Sequence, residues 1–168
     1  MASGMMQGMH PAAEIEIDAP LELVWQVMLD TEAYGEWNPF VVRAATAQPV
    51  RVGNPIVLDV VWANGGTAHS PERITALEGP TTDQATGTTT AVMSYAYEGL
   101  PSKLRLVRSV RHQRLSQRAG GATTYATVGE FSGPLVRFAG PERVADGFRR
   151  HAVGLKERAE ALSADRSG

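Results

Sequence analysis

Polar and apolar residues alternate over Glu14-Ile15-Glu16-Ile17-Asp18, the two-residue period of a half-buried strand. Ala19-Pro20 stops it. Pro20 suits a first helical turn, Asp18 stands where a cap would, and Glu22 complements the helix dipole. Leu21, Val24, Trp25 and Met28 then follow the i, i+3, i+4, i+7 spacing of a short amphipathic helix. A second short helix is expected from Asp30-Thr31 through Tyr34 and Trp37. Asn38-Pro39 ends it, because a residue before proline avoids the helical region.

The period then changes to that of strands. Phe40 to Ala47 is the first, and Pro55 to Trp62 is the clearest, with Ile56, Leu58, Val60 and Trp62 on one face. Pro71 to Leu77 and Thr90 to Glu98 follow, joined by a threonine- and glycine-rich turn from Gly79 to Gly87. Leu104 to Arg118 and Ala122 to Phe131 meet at Gly120-Gly121, a dipeptide suited to a hairpin turn. The last segment is helical from Gly140-Pro141-Glu142, or from a kinked start near Pro134. Val144, Phe148, His151, Leu155, Ala159 and Leu162 form one apolar stripe, opposite Arg149, Arg150, Lys156, Glu157 and Glu160. A helix with a single stripe needs a sheet to lie on. Sequential hairpins make that sheet antiparallel, and strong curvature around the helix leaves a gap that is a cavity.

Composition narrows the class. The chain has 168 residues, the size of one domain, with 43% hydrophobic and 20% charged residues. Sixteen basic residues face eighteen acidic ones, a formal charge of -2, so no global basic excess points to nucleic acid or an anionic surface. The absence of cysteine removes disulfides, thiolate catalysis and cysteine-ligated metals. No run of about 18 apolar residues spans a bilayer. Residues 1–12 lack the basic start and apolar core of a signal peptide and are read as a flexible leader. Residues 13–162 form the domain and 163–168 a frayed tail. A cytoplasmic location, as monomer or homodimer, is the default expectation.

Ile17-Asp18-Ala19-Pro20, Val24-Trp25 and Glu36-Trp37-Asn38-Pro39-Phe40 resemble the opening of the START-like polyketide cyclase/dehydrase superfamily (SRPBCC, Bet v 1-like proteins). Gly53 before a strand, Phe131-Ser132-Gly133 before the last helix, and Phe148, Leu155-Lys156 and Ala159-Glu160 within it fit the same pattern. The resemblance covers roughly Ala13 to Leu162. It implies an α+β helix-grip fold, with a curved antiparallel sheet of about seven strands around a long C-terminal helix and two short helices after the first strand. It also implies a cavity for a small hydrophobic or polyketide-like ligand. These motifs set turns and core, so they speak to fold more than to activity.

Strand parity sorts the interior. Met93, Tyr95 and Tyr97 form one apolar face by alternation. The next strand does not agree on one parity. The resemblance places Leu115 inward, which brings Val107, Ser109, Arg111 and Gln113 to the same side. Across the turn Thr123, Tyr125, Thr127 and Phe131 follow. The resemblance implies an acidic residue just before Phe131; here it stands as Gly129-Glu130, shifted to the outer parity, so acid-dependent chemistry does not carry over with the resemblance. Arg111 is the informative residue. Its charge is permanent, burying it alone costs several kcal/mol, and no acidic residue on the inferred inner faces pairs with it. Either the cavity is wet or a ligand oxygen completes the site; a one-residue slip makes Arg111 an ordinary exposed arginine.

Tyr95, Tyr97 and Tyr125 serve as cavity walls or as core residues with satisfied hydroxyls. His151 on the helix stripe is a buried core histidine or a proton carrier. Trp37 and Asn38 are expected at the cavity mouth, as a packing residue and as a cap of the turn. Arg105, Arg108, Arg111, Arg114 and Arg118 with His112 make a basic run, which the strand period splits between faces without interleaved aromatics. A solvated outer face therefore accounts for it better than a nucleic-acid groove, although a three-residue spacing also suits a helix. The four histidines have no i, i+4 pairing for a metal, and no nucleotide fingerprint is present, so no cofactor is expected.

Two functions remain. One is a cyclase or dehydratase of a carbonyl-bearing metabolite, with Arg111 and Gln113 receiving an enolate oxygen and Tyr95, Tyr125 or His151 moving the proton, a tyrosine lowered by Arg111. In that reading Arg111, Tyr95 and His151 are catalytic. Trp37, Leu58, Val60, Trp62, Met93, Tyr97, Gln113, Tyr125, Thr127 and Phe148 surround the ligand. The other is a carrier or sensor of a hydrophobic ligand such as a lipid, quinone or aromatic metabolite, with Arg111 as an anchor. A protein-interaction role of the co-chaperone kind is a third.

Overall fold

The computed structural model describes residues 8–168. Seven strands run in the order β1-β7-β6-β5-β4-β3-β2: β1 (Ala12–Ile17), β2 (Val41–Thr46), β3 (Pro55–Val61), β4 (Thr67–Asp83), β5 (Thr88–Tyr97), β6 (Arg108–Arg118) and β7 (Thr123–Ser132). Every neighbouring pair is antiparallel. Successive hairpins account for the order from β2 to β7, and β1 closes onto β7. Register shifts in β2 and twice in β4 curl the sheet, since each extra residue bends its strand. The chain is an α+β helix-grip fold: the long helix α4 (Pro141–Ser167) lies in the concave face.

Between β1 and β2 stand α1 (Leu21–Leu29), a 3-10 turn (Thr31–Ala33) and α2 (Tyr34–Trp37). Asn38 is extended before Pro39, as the sequence requires. Asp18 does not cap α1; its backbone N–H donates to the Glu160 carboxylate, and Pro20 occupies the cap position. The stripe of α4 is buried from Val144 through Phe148, His151, Leu155 and Ala159.

Several boundaries differ from those expected, β4 already beginning at Thr67. Gly79 to Asp83 belong to β4, so the turn spans only residues 84–87; threonines are good strand residues, and here Thr81 and Thr82 pair with Thr90 and Thr89, and Asp83 with Thr88. Leu104 does not begin a strand, because α3 (Leu100–Lys103) precedes β6. The last helix starts at Pro141 after left-handed Gly140, separate from a 3-10 turn at Val136–Phe138, and continues through the residues expected as a frayed tail. Of the leader, residues 1–7 lie outside the described residues, while Met9 exchanges two backbone hydrogen bonds with Phe131. No described helix is long and apolar enough to cross a membrane.

Candidate functional site

The register sets the inner rows side by side. Tyr95 on β5 is opposite Arg111 on β6, and Arg111 is opposite Gly129 on β7. One row along, Met93, Gln113 and Thr127 are aligned, and Leu115 faces Tyr125. Arg111, Gln113, Thr127, Tyr95 and Tyr125 are all buried, so the parity that turns Arg111 inward is the observed one. A Cβ on Gly129 would stand 2.7 Å from the Phe131 ring and 3.3 Å from that of Phe148. The missing side chain thus makes room beside Arg111, whose guanidinium carbon lies 4.2 Å from the Phe148 ring centre, a cation–π contact.

The guanidinium is hydrogen-bonded but not neutralised. Nε donates to Thr127 Oγ1 at 2.9 Å, and the two Nη atoms donate to the Tyr95 and Tyr125 hydroxyls at 3.2 Å each. No carboxylate lies within ion-pair reach of it among the described residues. Of its five N–H donors, two are left. Burial works against its charge, but the surrounding tyrosine hydroxyls and Glu72 outweigh that and raise its already high pKa. The Tyr125 hydroxyl donates to Gln113 Oε1 at 2.8 Å, and Gln113 Nε2 donates to the Tyr95 hydroxyl at 3.2 Å. Tyr95 oxygen therefore accepts twice and keeps its own hydrogen free.

Of these groups Arg111 and Tyr95 line a cavity of about 440 Å³ between the sheet and α4, within the range of small-molecule sites. Leu58, Val60, Trp62, Tyr95, Tyr97, Arg111 and Phe148 line it. Met93, Gln113, Tyr125 and Thr127 do not; they form a polar and apolar layer behind the wall. Trp37, expected at the mouth, lies elsewhere: it lines a shallow depression with Leu23, Val27 and Leu162 and packs edge-on against Tyr34 and His151. Asn38 does organise the turn, its Oδ1 accepting from the N–H groups of Phe40 and Val41.

His151 is also absent from the cavity wall. With Asn38 Oδ1 committed, the Asn38 amide nitrogen donates to His151 Nδ1 at 2.8 Å. The proton of the neutral ring is then on Nε2, which is buried without a partner, and the ring stacks on Tyr125. Burial, then the charge of Arg111, holds its pKa well below the usual histidine value. At neutral pH it is a neutral core residue, and this environment argues against the proton-carrying role expected of it. The tyrosines are corrected too. Burial pushes Tyr95 up to about 12 and raises Tyr125, with Arg111 only partly opposing, so neither is the lowered tyrosine expected from sequence.

Among the described residues no acid pairs with Arg111, but Glu72, which the sequence reading did not place, shares the cavity wall with it. It lies on β4 opposite Ile56 and Tyr97, is half-buried, and lines the cavity. Ser70 Oγ donates to its Oε1 at 2.9 Å. Burial raises its pKa from 4.5 to about 7, with the Ser70 hydrogen bond and Arg111 holding it back. Its signal in the sequence was its two-residue spacing from Ile74. Glu130 is exposed on the outer face, near His112.

No group of three His, Cys, Asp or Glu residues suited to a metal occurs among the described residues. The wall instead offers a fixed positive charge and a free hydroxyl donor on one side, and a carboxyl group poised near neutrality on another.

The family model "Polyketide cyclase / dehydrase and lipid transport" matches residues 10–160. The chain belongs to this family. No curated protein sequence matches it. Among solved structures, the di-domain ARO/CYC BexL from the BE-7585A biosynthetic pathway is similar at 13% identity and TM-score 0.67, over 91% of this chain and 50% of BexL. The di-domain ARO/CYC StfQ from the steffimycin pathway is similar at 15% identity and TM-score 0.64, over 96% and 52%. The chain thus spans about half the length of these two proteins. The ginseng major latex-like protein 151 from Panax ginseng shares 11% identity and TM-score 0.62, over 93% and 97%. At these identities the likeness is one of fold, so this polyketide cyclase/dehydrase family member must be read from its own cavity.

Proposed function

We propose that the protein binds an apolar, carbonyl-bearing metabolite and promotes its cyclisation or dehydration. The observation that carries this reading is the uncompensated Arg111 guanidinium in the wall of an apolar cavity that also holds Glu72. A carbonyl oxygen that gains negative charge as an enolate would be received by the free N–H groups of Arg111 and the O–H of Tyr95. Glu72, with a pKa of about 7, is suited to take the proton from the adjacent carbon and return it to a leaving hydroxyl. The aromatic and aliphatic walls would hold a flexible chain in a reactive pose. The ARO/CYC designations of BexL and StfQ are consistent with this class. A carrier is the competing reading, favoured by the raised pKa values of the buried tyrosines, which make them poor proton carriers near neutrality.

Native mass spectrometry of gently purified protein, with chromatography of what it releases, separates the two. The enzyme reading expects a recovered molecule to be consumed on incubation by the wild type, and to be bound but unchanged by Glu72→Gln. A molecule returned unchanged by the wild type as well would leave a carrier.

A further inference from the structure

Two short segments frame the cavity mouth. Pro101 and Leu106 line it from one side, and Leu135 and Phe138 from the other. They are tied together, since the Leu135 N–H donates to the Leu106 carbonyl at 3.0 Å. On their outer side large apolar residues stand in solvent: Leu100 is 67% exposed, Leu104 59% and Phe138 69%. Leu100 and Leu104 are one helical turn apart and share a face. Exposed apolar groups gathered at a cavity mouth mark an interaction surface rather than scattered chance exposure.

The charge of the same rim is one-sided. Residues 99–108 and 133–143 contain Lys103, Arg105, Arg108, Arg137 and Arg143 against a single acid, Glu142, although the whole chain is net negative. All five basic residues are exposed. Arg137 and Arg143 lie across the rings of Phe138 and Trp62, so charge and apolar surface are interleaved. Arg105 has φ +57, a left-handed backbone uncommon for a residue with a side chain. It turns the chain between the Leu100/Leu104 knuckle and β6.

We propose that this rim docks on an anionic lipid surface. Leu100, Leu104 and Phe138 would enter the headgroup boundary, and the five basic residues would meet the phosphates and carboxylates around them. Protruding apolar side chains with basic neighbours suit a fluid, negatively charged interface, which needs no fixed partner shape. An acidic protein partner would call for a complementary groove, and the rim carries knuckles instead. Docking there turns the cavity mouth toward the acyl region, so an apolar ligand passes between membrane and cavity without crossing water. The surface is independent of the chemistry inside, and its test does not involve Arg111 or Glu72.

Co-sedimentation of the full chain with phosphatidylcholine vesicles, and with vesicles containing about 30% phosphatidylserine, tests this. Binding is expected to the second only, and to weaken steeply with salt. Lys103→Gln, Arg105→Gln and Arg137→Gln should each reduce it by about fivefold. The double variant Leu100→Ser/Leu104→Ser, which alters no cavity-lining residue, should reduce it at least tenfold with an unchanged circular dichroism spectrum. Failure of the wild type to sediment with anionic vesicles, including the case where it captures only an acidic protein, would overturn the proposal. So would binding that the folded double variant retains in full.

Discussion

Glu72 carries a proton in the folded chain at pH values where a free carboxyl does not. Its native pKa of about 7 stands above the 4.5 of an unperturbed glutamate, so between these values the unfolded state has released a proton the native state still holds. Stability therefore falls as pH rises through this window and is penalised in full above it. Glu72→Gln should match the wild type near pH 4 and exceed it by about 2 kcal/mol near pH 8, the ceiling of about 3 kcal/mol being reduced because the carboxyl is partly open to the cavity. Urea unfolding at both pH values measures this; an equal offset at both would mean that Glu72 is not the titrating group. Arg111 leads to a related expectation. Its charge has no counter-ion, so Arg111→Met, similar in length and apolar, should leave stability unchanged or raise it by about 1 kcal/mol. A large loss would make the guanidinium a structural keystone. Arg111, Gln113 and Tyr125 were legible only through the resemblance, which turns Leu115 inward where alternation along β6 is ambiguous; the unbroken register of β6 and β7 then carries that one anchor to the rest. Glu72 was not: it shares the parity of Ile74, but the bulge between Ile74 and Ala76 brings Leu77 inward across an odd spacing, so the alternation along β4 offers two conflicting faces.

Among the elements, α4 packs closely on the segment from Trp37 to Phe40 through its glycines. A Cβ on Gly154 would meet the Trp37 carbonyl oxygen at 2.6 Å and Pro39 Cδ at 2.9 Å, and one on Gly147 would meet the Phe40 ring at 2.5 Å. These positions let the helix approach the segment after α2 more closely than any side chain permits. Gly154→Ala gains about 1 kcal/mol of helix propensity but must displace backbone, so a net loss of about 1–2 kcal/mol is expected in urea unfolding. A gain would mean the helix stands farther off. The apolar stripe of α4 was readable from spacing, whereas the role of the glycines was not, because a close approach leaves no mark on hydrophobic periodicity. The four residues of α3 escaped for a different reason: Leu-Pro-Ser-Lys is too short to show a helical period.

At the scale of the whole chain, the order of elements was legible because each hairpin is local in sequence and the last helix has one apolar face. What that order could not convey is the asymmetry of the interior. The ring of Trp37 and the neutral His151 fall outside the cavity wall, the former beside a separate depression. Arg111, Tyr95 and Glu72 share the wall of one cavity. With that wall, the cavity should prefer an oxygen-bearing apolar molecule over a plain hydrocarbon. Calorimetric titration with 2-acetyl-1-naphthol and with 2-ethylnaphthalene tests it directly, because the two probes differ mainly in their oxygens. The wild type should bind the first at least about tenfold more tightly, as one charge-assisted hydrogen bond would require, and Arg111→Met should bind the two alike. Equal affinity of the wild type for both probes, or a preference that survives in Arg111→Met, would contradict it.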